Sequence, residues 1–260
     1  MSKNNFDIQN KNIIICGGSG QIGNSLIKFL LEKKSNVINL DKFEKNFNNP
    51  NYKFFKVDIT NEQSVIKILN KITKRYKKID VLINVFHFKG DRKLKPFDDF
   101  FSEFHNYPLK TWKKTLDVNL NGLFIICKYV LKNMLKNNKG IIVNTSSTYG
   151  INSPIKSIYG NSGINNPIGY ATTKAAIINF TKYIATHYAE YNIRANTLSP
   201  GGIVNSNQSK NFIREYKKRT PMKRMANAEE FNESILYLIS DASKYVTGSN
   251  LVVDGGWTAW

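Results

Sequence analysis

The chain has 260 residues, 41% hydrophobic and 12% aromatic, which allows a sizeable core and excludes a disordered chain. Two distant cysteines, Cys16 and Cys127, exclude a disulfide scaffold; apolar runs such as Val118 to Cys127, broken by Asn119, Asn121 and Gly122, exclude a membrane span; and the polar Met1 to Lys11 holds no signal-peptide core, so a soluble, reduced, cytoplasmic protein is expected. The net charge of +19 rests on 32 lysines and only six arginines, with 34 asparagines, a chain-wide drift that argues against specific nucleic-acid binding.

In chain order, apolar strand runs alternate with helical patterns. Asn12 to Cys16 reads as a strand and Gln21 to Lys33 as a helix, with Ile22, Leu26, Ile27, Leu30 and Leu31 on one face. Strands follow at Asn36 to Leu40 and Lys53 to Val57, then a helix over Asn61 to Tyr76 and a strand over Ile79 to Asn84. A long helix over Thr111 to Leu135 precedes a strand at Gly140 to Asn144 and a helix at Ile168 to Glu190. Asn192 to Leu198, a helix over Ala228 to Ser240, and Asn250 to Val253 complete seven strands. This alternation predicts one α/β domain over 1–260: a doubly wound parallel sheet with helices on both faces. Two long connections, Phe86 to Lys110 and Ser199 to Ala226, leave carboxyl ends of strands, where ligands bind in such sheets. The first carries Lys89, Arg92, Lys93 and Lys95, which read equally as an attractor for a phosphorylated substrate and as part of the lysine drift.

Gly17, Gly20 and Gly23 form G-x-x-G-x-x-G between the first strand and the first helix. Glycine permits the tight turn and lets backbone approach a pyrophosphate, while the helix N-terminus offers free N–H groups to it. Asp41 ends the second strand, placed to accept both ribose hydroxyls of NAD and to repel the 2′-phosphate of NADP, although Lys42 follows it. Asp58 reads equally as an acceptor for the adenine amino group and as part of the cap of the next helix.

Tyr170 and Lys174 stand four apart in a helical pattern, on one face. A nearby ammonium lowers a phenol's pKa and fits tyrosine for proton transfer. Tyr52 and Lys56 repeat the spacing in a strand, where i and i+4 are about 13 Å apart, and are set aside.

The glycine turn, Asp41, Asn119, Ser146-Ser147, Tyr170/Lys174, Ser199-Pro-Gly-Gly-Ile203 and Val253-Asp-Gly-Gly256 together resemble the short-chain dehydrogenase/reductase superfamily, from about Lys11 to Gly256. The resemblance implies a Rossmann-type fold, with 11–150 mainly the cofactor half and 86–110, 151–168 and 203–226 as substrate loops. It implies Tyr170 as proton donor and acceptor, and Ser147 as the group that binds the substrate oxygen. Lys174 would hold the nicotinamide ribose, and Asn119 would anchor a relay water or simply bend its helix. NAD, preferred to NADP, would lie along Gly17, Ser19, Gly20, Gln21, Ile22, Gly23, Asp41, Asp58, Ile59, Asn84, Tyr170, Lys174, Pro200, Gly201 and Ile203, with no metal. A homodimer or homotetramer through the two long helices and the C-terminal strand is implied too, and the aromatic tail Trp257 to Trp260 is expected at a subunit contact.

Three departures stand out. Asn84-Val85-Phe86-His87 replaces the family's Asn-Asn-Ala-Gly, so His87 is either a substrate ligand or proton carrier, or a solvated loop residue. Cys16 replaces a threonine and reads as a small buried side chain. Ser147 and Tyr170 lie 23 residues apart, and Ser153 to Pro167 has a loop composition. That loop starts in the site, so Tyr149 and Tyr159 become candidate substrate contacts. The insertion and the stretch from Ser146 to Tyr183 resemble the flagellin modification protein A type of bacterial oxidoreductase, which implies a sugar or nucleotide-sugar substrate in surface-glycan biosynthesis. The alternatives are a 3-oxoacyl-carrier-protein-reductase-like enzyme, whose acidic partner a basic surface suits, and a non-catalytic dinucleotide-binding regulator.

Overall fold

The computed structural model describes residues 4–88, 90 and 98–260. The basic cluster Lys89, Arg92, Lys93 and Lys95 lies outside the described residues.

Seven strands form one parallel sheet: β1 (Asn12–Cys16), β2 (Asn36–Asp41), β3 (Tyr52–Lys56), β4 (Val81–Asn84), β5 (Gly140–Thr145), β6 (Ile193–Pro200) and β7 (Asn250–Val253). Their order is β3-β2-β1-β4-β5-β6-β7. The order reverses between β1 and β4, and a crevice opens at their carboxyl ends. Among the described residues, seven α-helices flank the sheet: α1 (Gln21–Glu32), α2 (Glu62–Tyr76), α3 (Leu109–Leu116), α4 (Gly122–Lys136), α5 (Ile168–His187), α6 (Lys210–Arg219) and α7 (Asn232–Ile239).

Strand alternation sorts the core into two layers. Ile14 and Cys16 of β1 face one layer with Leu69, Ile126 and Ile177 of α2, α4 and α5. Ile13 and Ile15 face the other, with Leu26 and Leu30 of α1 and Ile235 and Ile239 of α7. With both faces covered, every residue of β1 is buried, as a parallel strand requires. A third, small cluster of Ile158, Tyr216, Met225 and Trp257 stands over the crevice.

Two expectations need correction, and one long connection holds a helix not expected from the sequence. The helix expected over Thr111 to Leu135 is two helices, α3 and α4, joined by a π-turn at Asp117–Asn121. The connection from Ser199 to Ala226 holds α6, whose first turn is capped by Ser209 Oγ accepting from the Phe212 N–H at 3.1 Å. Trp257 is not left for a subunit contact: it is buried within its own chain and stacks on Tyr216 with centroids 4.1 Å apart. Trp260 stays exposed.

Candidate active site

The crevice is a cleft of about 700 Å³. Its cofactor-facing end is made by the glycine turn. Gly17 has φ +87°, and a Cβ there would stand 2.7 Å from the Phe86 backbone nitrogen. A Cβ on Gly23 would stand 2.5 Å from the Gly17 carbonyl oxygen, so turn and helix meet only without side chains. α1 starts at Gln21 with no side-chain cap, so its first N–H groups and positive dipole end face the cleft. Ser19, Gly20, Gln21 and Ile22 line it, and the Gln21 amide reaches across to the Val204 carbonyl at 2.7 Å.

The turn is tied to β2 by two side chains. Asp41 Oδ2 accepts from the Ser19 N–H at 3.0 Å, and Asn39 Oδ1 accepts from the Gly18 N–H at 3.1 Å. Asn39 went unnoticed in the sequence, although a polar residue inside the buried run Val37 to Leu40 was a signal. Asp41 keeps its place at the cleft edge. Lys42 pairs with Asp58 at 2.6 Å. Burial raises the Asp58 pKa, but Lys42 and the Thr60 donors outweigh it and hold the carboxyl below its ordinary range. Asp58 Oδ1 also accepts from the Thr60 N–H at 3.0 Å, and its neighbours Val57 and Ile59, rather than Asp58 itself, line the cleft.

At the chemical end, Ser147, Tyr170 and Lys174 line the same cleft and are all buried. α5 presents Tyr170 and Lys174 on one face, with the ammonium 5.6 Å from the phenol ring centroid. Lys174 Nζ donates to the Thr145 carbonyl at 2.7 Å. The Ser147 hydroxyl hydrogen-bonds Tyr170, and Ser147 Oγ accepts from the Tyr149 N–H at 3.2 Å. Burial pushes the Tyr170 phenol up to about 12, and the Ser147 bond only partly offsets it. Tyr170 therefore holds its proton at neutral pH, poised to donate to an oxygen beside Ser147. Thr145 also lines the cleft, and its Oγ1 is buried with no partner among the described residues, a polar atom waiting for a ligand.

Asn119 sits in the π-turn, buried. Its Oδ1 accepts from the Phe88 N–H at 2.6 Å and its Nδ2 donates to Thr173 Oγ1 at 3.0 Å. It joins the exit of β4 to α5 beneath the cleft rather than lining it. Asn84 is likewise behind the wall, donating to Asn144 Oδ1 at 2.8 Å. His87 is exposed, lines the cleft and packs edge-on to Tyr170 at 5.7 Å. Cys16 is fully buried, and burial raises its thiol pKa strongly, so it is an inert core side chain.

Pro200, Gly201 and Ile203 form the wall after β6. The Gly202 N–H donates to the Tyr216 hydroxyl at 2.6 Å, so α6 props this wall. Tyr149, Tyr159, Phe212, Tyr216 and Met225 close the distal end. The insertion is held down rather than loose: Ile158 is buried beside Tyr216, Lys156 pairs with Glu103, and Arg219 donates to Ser157 Oγ at 3.2 Å.

An uncapped helix N-terminus, a cradle that a Cβ would fill and a carboxylate at the end of β2 fit a dinucleotide. Among the described residues no group of three or more His, Cys, Asp or Glu is arranged to hold a metal ion, and no helix is long and apolar enough to cross a membrane.

A family model described as enoyl-(acyl carrier protein) reductase matches residues 30–258. The chain is 30% identical to an NAD-dependent glycerol dehydrogenase of Listeria innocua, over 97% of this chain and 96% of that protein. It is 29% identical to post-translational flagellin modification protein A of Campylobacter coli, over 96% and 99%. The crystal structure of a short-chain dehydrogenase of Leptospira borgpetersenii with bound NAD+ superposes with a TM-score of 0.90 at 36% identity, covering 99% of this chain and 97% of that one. With this sheet order, glycine turn and Ser–Tyr–Lys cleft, the chain belongs to the short-chain dehydrogenase/reductase superfamily of oxidoreductases.

Proposed function

We propose that the chain is an NAD(H)-dependent enzyme that interconverts an alcohol and a ketone on a sugar or nucleotide-sugar, in the cytoplasm, within surface-glycan biosynthesis. The carrying observation is one cleft in which Ser147, Tyr170 and Lys174 face the free N-terminus of α1. NAD, when bound, supplies the hydride donor or acceptor at its nicotinamide ring. Gly17, Ser19, Gly20, Gln21, Ile22 and Gly23 take the pyrophosphate end, and Asp41 takes the adenosine ribose. Lys42 is engaged by Asp58, which supports NAD over NADP. Thr145, Pro200, Gly201 and Ile203 form the nicotinamide wall.

In the reducing direction, Ser147 orients the carbonyl oxygen and Tyr170 Oη gives it a proton. In the oxidising direction the same oxygen takes the proton back. Lys174 fixes the Thr145 carbonyl and favours the phenolate electrostatically, and Asn119 fixes the π-turn behind them. Preorganisation supplies the rate, since no covalent intermediate is needed. The whole chain acts as one unit, with 86–110, 151–168 and 203–226 as substrate walls. Half-exposed Phe124 on α4 and Tyr183 on α5 support a dimer or tetramer through these helices. The glycerol dehydrogenase among the relatives supports a hydroxylated substrate. The Tyr149 and Tyr159 hydroxyls in the distal wall support a hydroxylated substrate over an acyl chain.

The test is a titration with NADH and NADPH beside Asp41→Ala, followed by a panel of keto-sugars and 3-oxoacyl thioesters. NADH preference that collapses in the variant, with keto-sugar reduction, is expected. NADPH binding indifferent to Asp41, with preference for thioesters, would replace this reading with the carrier-protein one. Identical behaviour of wild type and Tyr170→Phe in every turnover assay would favour a regulator.

A further inference from the structure

The distal wall contains a hydrogen-bond arrangement that the chemistry above does not use. Tyr149 and Tyr159 both line the cleft, and their hydroxyl oxygens are 3.4 Å apart. Two phenols sharing one hydrogen bond spend one proton on each other and leave one over. Either phenol can be the donor, and in both cases one hydroxyl proton of the pair remains to be donated. The Asn166 side chain lies beside Tyr159 and acts to lower its phenol pKa, against the larger effect of burial. Asn166 Oδ1 is buried with no partner among the described residues, a further unsatisfied polar atom of this wall.

The pair is rigid. Tyr159 packs on Phe212 of α6 with centroids 5.2 Å apart, and the adjacent Ile158 is fully buried in the cap. The Tyr149 N–H binds Ser147 Oγ at 3.2 Å, so the pair is coupled through one backbone bond to the serine beside Tyr170. Burial raises the pKa of both phenols, so both stay neutral donors. A buried O–H facing a cleft costs free energy until it finds an acceptor, and an apolar substrate tail would leave it unpaired.

We infer that Tyr149, Tyr159 and Asn166 form a subsite that recognises a second, non-reacting hydroxyl of the substrate, making the Ser147–Tyr170 insertion a selector for polyhydroxylated ketones and alcohols. It rests on the oxidoreductase reading above and deepens it. A substrate hydroxyl accepts the leftover phenol proton and donates its own to the other phenol or to solvent.

The experiment measures kcat/KM with NADH and with NADPH for the unbranched 2-ketoses of three, four and five carbons (dihydroxyacetone, erythrulose, xylulose). Each is set against its unhydroxylated parent of equal length: acetone, butanone, 2-pentanone. The proteins are wild type, Tyr149→Phe, Tyr159→Phe and the double variant. The readout is the ratio of ketose to parent. In wild type the ratio is expected well above one for at least one chain length. In Tyr159→Phe it is expected to fall about five- to tenfold, the worth of one neutral hydrogen bond. The double variant should lose little more than Tyr159→Phe, because the two phenols work as one unit. A purely structural role would lower both members of each pair together and leave the ratio alone. A ratio unchanged in both single variants, or losses that simply multiply in the double variant, would overturn the subsite while leaving the enzyme reading intact. No turnover of any of the six ketones with either cofactor would overturn the enzyme reading and the subsite with it.

Discussion

Tyr170 carries the sharpest consequence of burial. Its phenol, pushed up to about 12, is raised above the free value, so the protonated form persists through neutral pH. In the carbonyl-reducing direction, kcat/KM should therefore stay level from about pH 6 to about pH 10. In the alcohol-oxidising direction it should climb about tenfold per pH unit, because the phenolate fraction does. Any plateau below about pH 12 then measures how far the cationic nicotinamide lowers the phenol. A reductive profile that falls above pH 7 would contradict this. Tyr170→Phe should cost about a hundred- to ten-thousandfold in kcat/KM, with NADH binding retained, as fluorescence titration would show. Asn119 is the structural counterpart. Asn119→Leu strips the acceptor from the Phe88 N–H, while Thr173 Oγ1 loses one bond and keeps the other, to the Tyr170 carbonyl at 2.9 Å. The unpaired Phe88 N–H costs about 1–3 kcal/mol, to be read from urea unfolding.

At the scale of elements, three segments far apart in sequence make the cap: the insertion, α6 and the tail. Tyr216→Phe removes the acceptor for the Gly202 N–H and should weaken NADH binding several-fold while the Trp257 stack persists. Titration with NADH checks it, and unchanged affinity would mean that the wall stands without α6. Strands and the large helices were legible in the sequence because their periodicity is local: β1 and β7 keep their expected bounds. The glycine turn and the Tyr170/Lys174 face were legible for the same reason. α6 was not, since Phe212, Ile213 and Tyr216 sit at helical spacing in a lysine-rich run that reads as a loop. The π-turn around Asn119 was not either, because nothing in Asp117 to Asn121 separates an i→i+5 bond from an i→i+4 bond. The clamp of Asn39 on Gly18 and the stack of Trp257 on Tyr216 are long-range contacts with no local pattern. The tail was assigned to a neighbour for that reason.

For the whole molecule, the charge of +19 comes from lysines spread along the sequence. Its ion pairs, such as Lys128–Glu62 and Arg224–Glu230, are half-exposed and contribute little each. Self-repulsion should therefore dominate, and Tm should rise between low salt and about 0.15 M NaCl as the Debye length shrinks to about 8 Å. A scanning fluorescence series would show it; a falling Tm would mean that the ion pairs outweigh repulsion. The stack of Trp257 on Tyr216 has an optical consequence. The chain has three tryptophans: Trp112 on α3, the exposed Trp260, and Trp257 against the wall that holds Gly202. One indole is thus an internal fluorophore stacked on Tyr216, which lines the cleft. Its emission, isolated by replacing the other two, would report ligand arrival and cap rearrangement in real time without any attached dye.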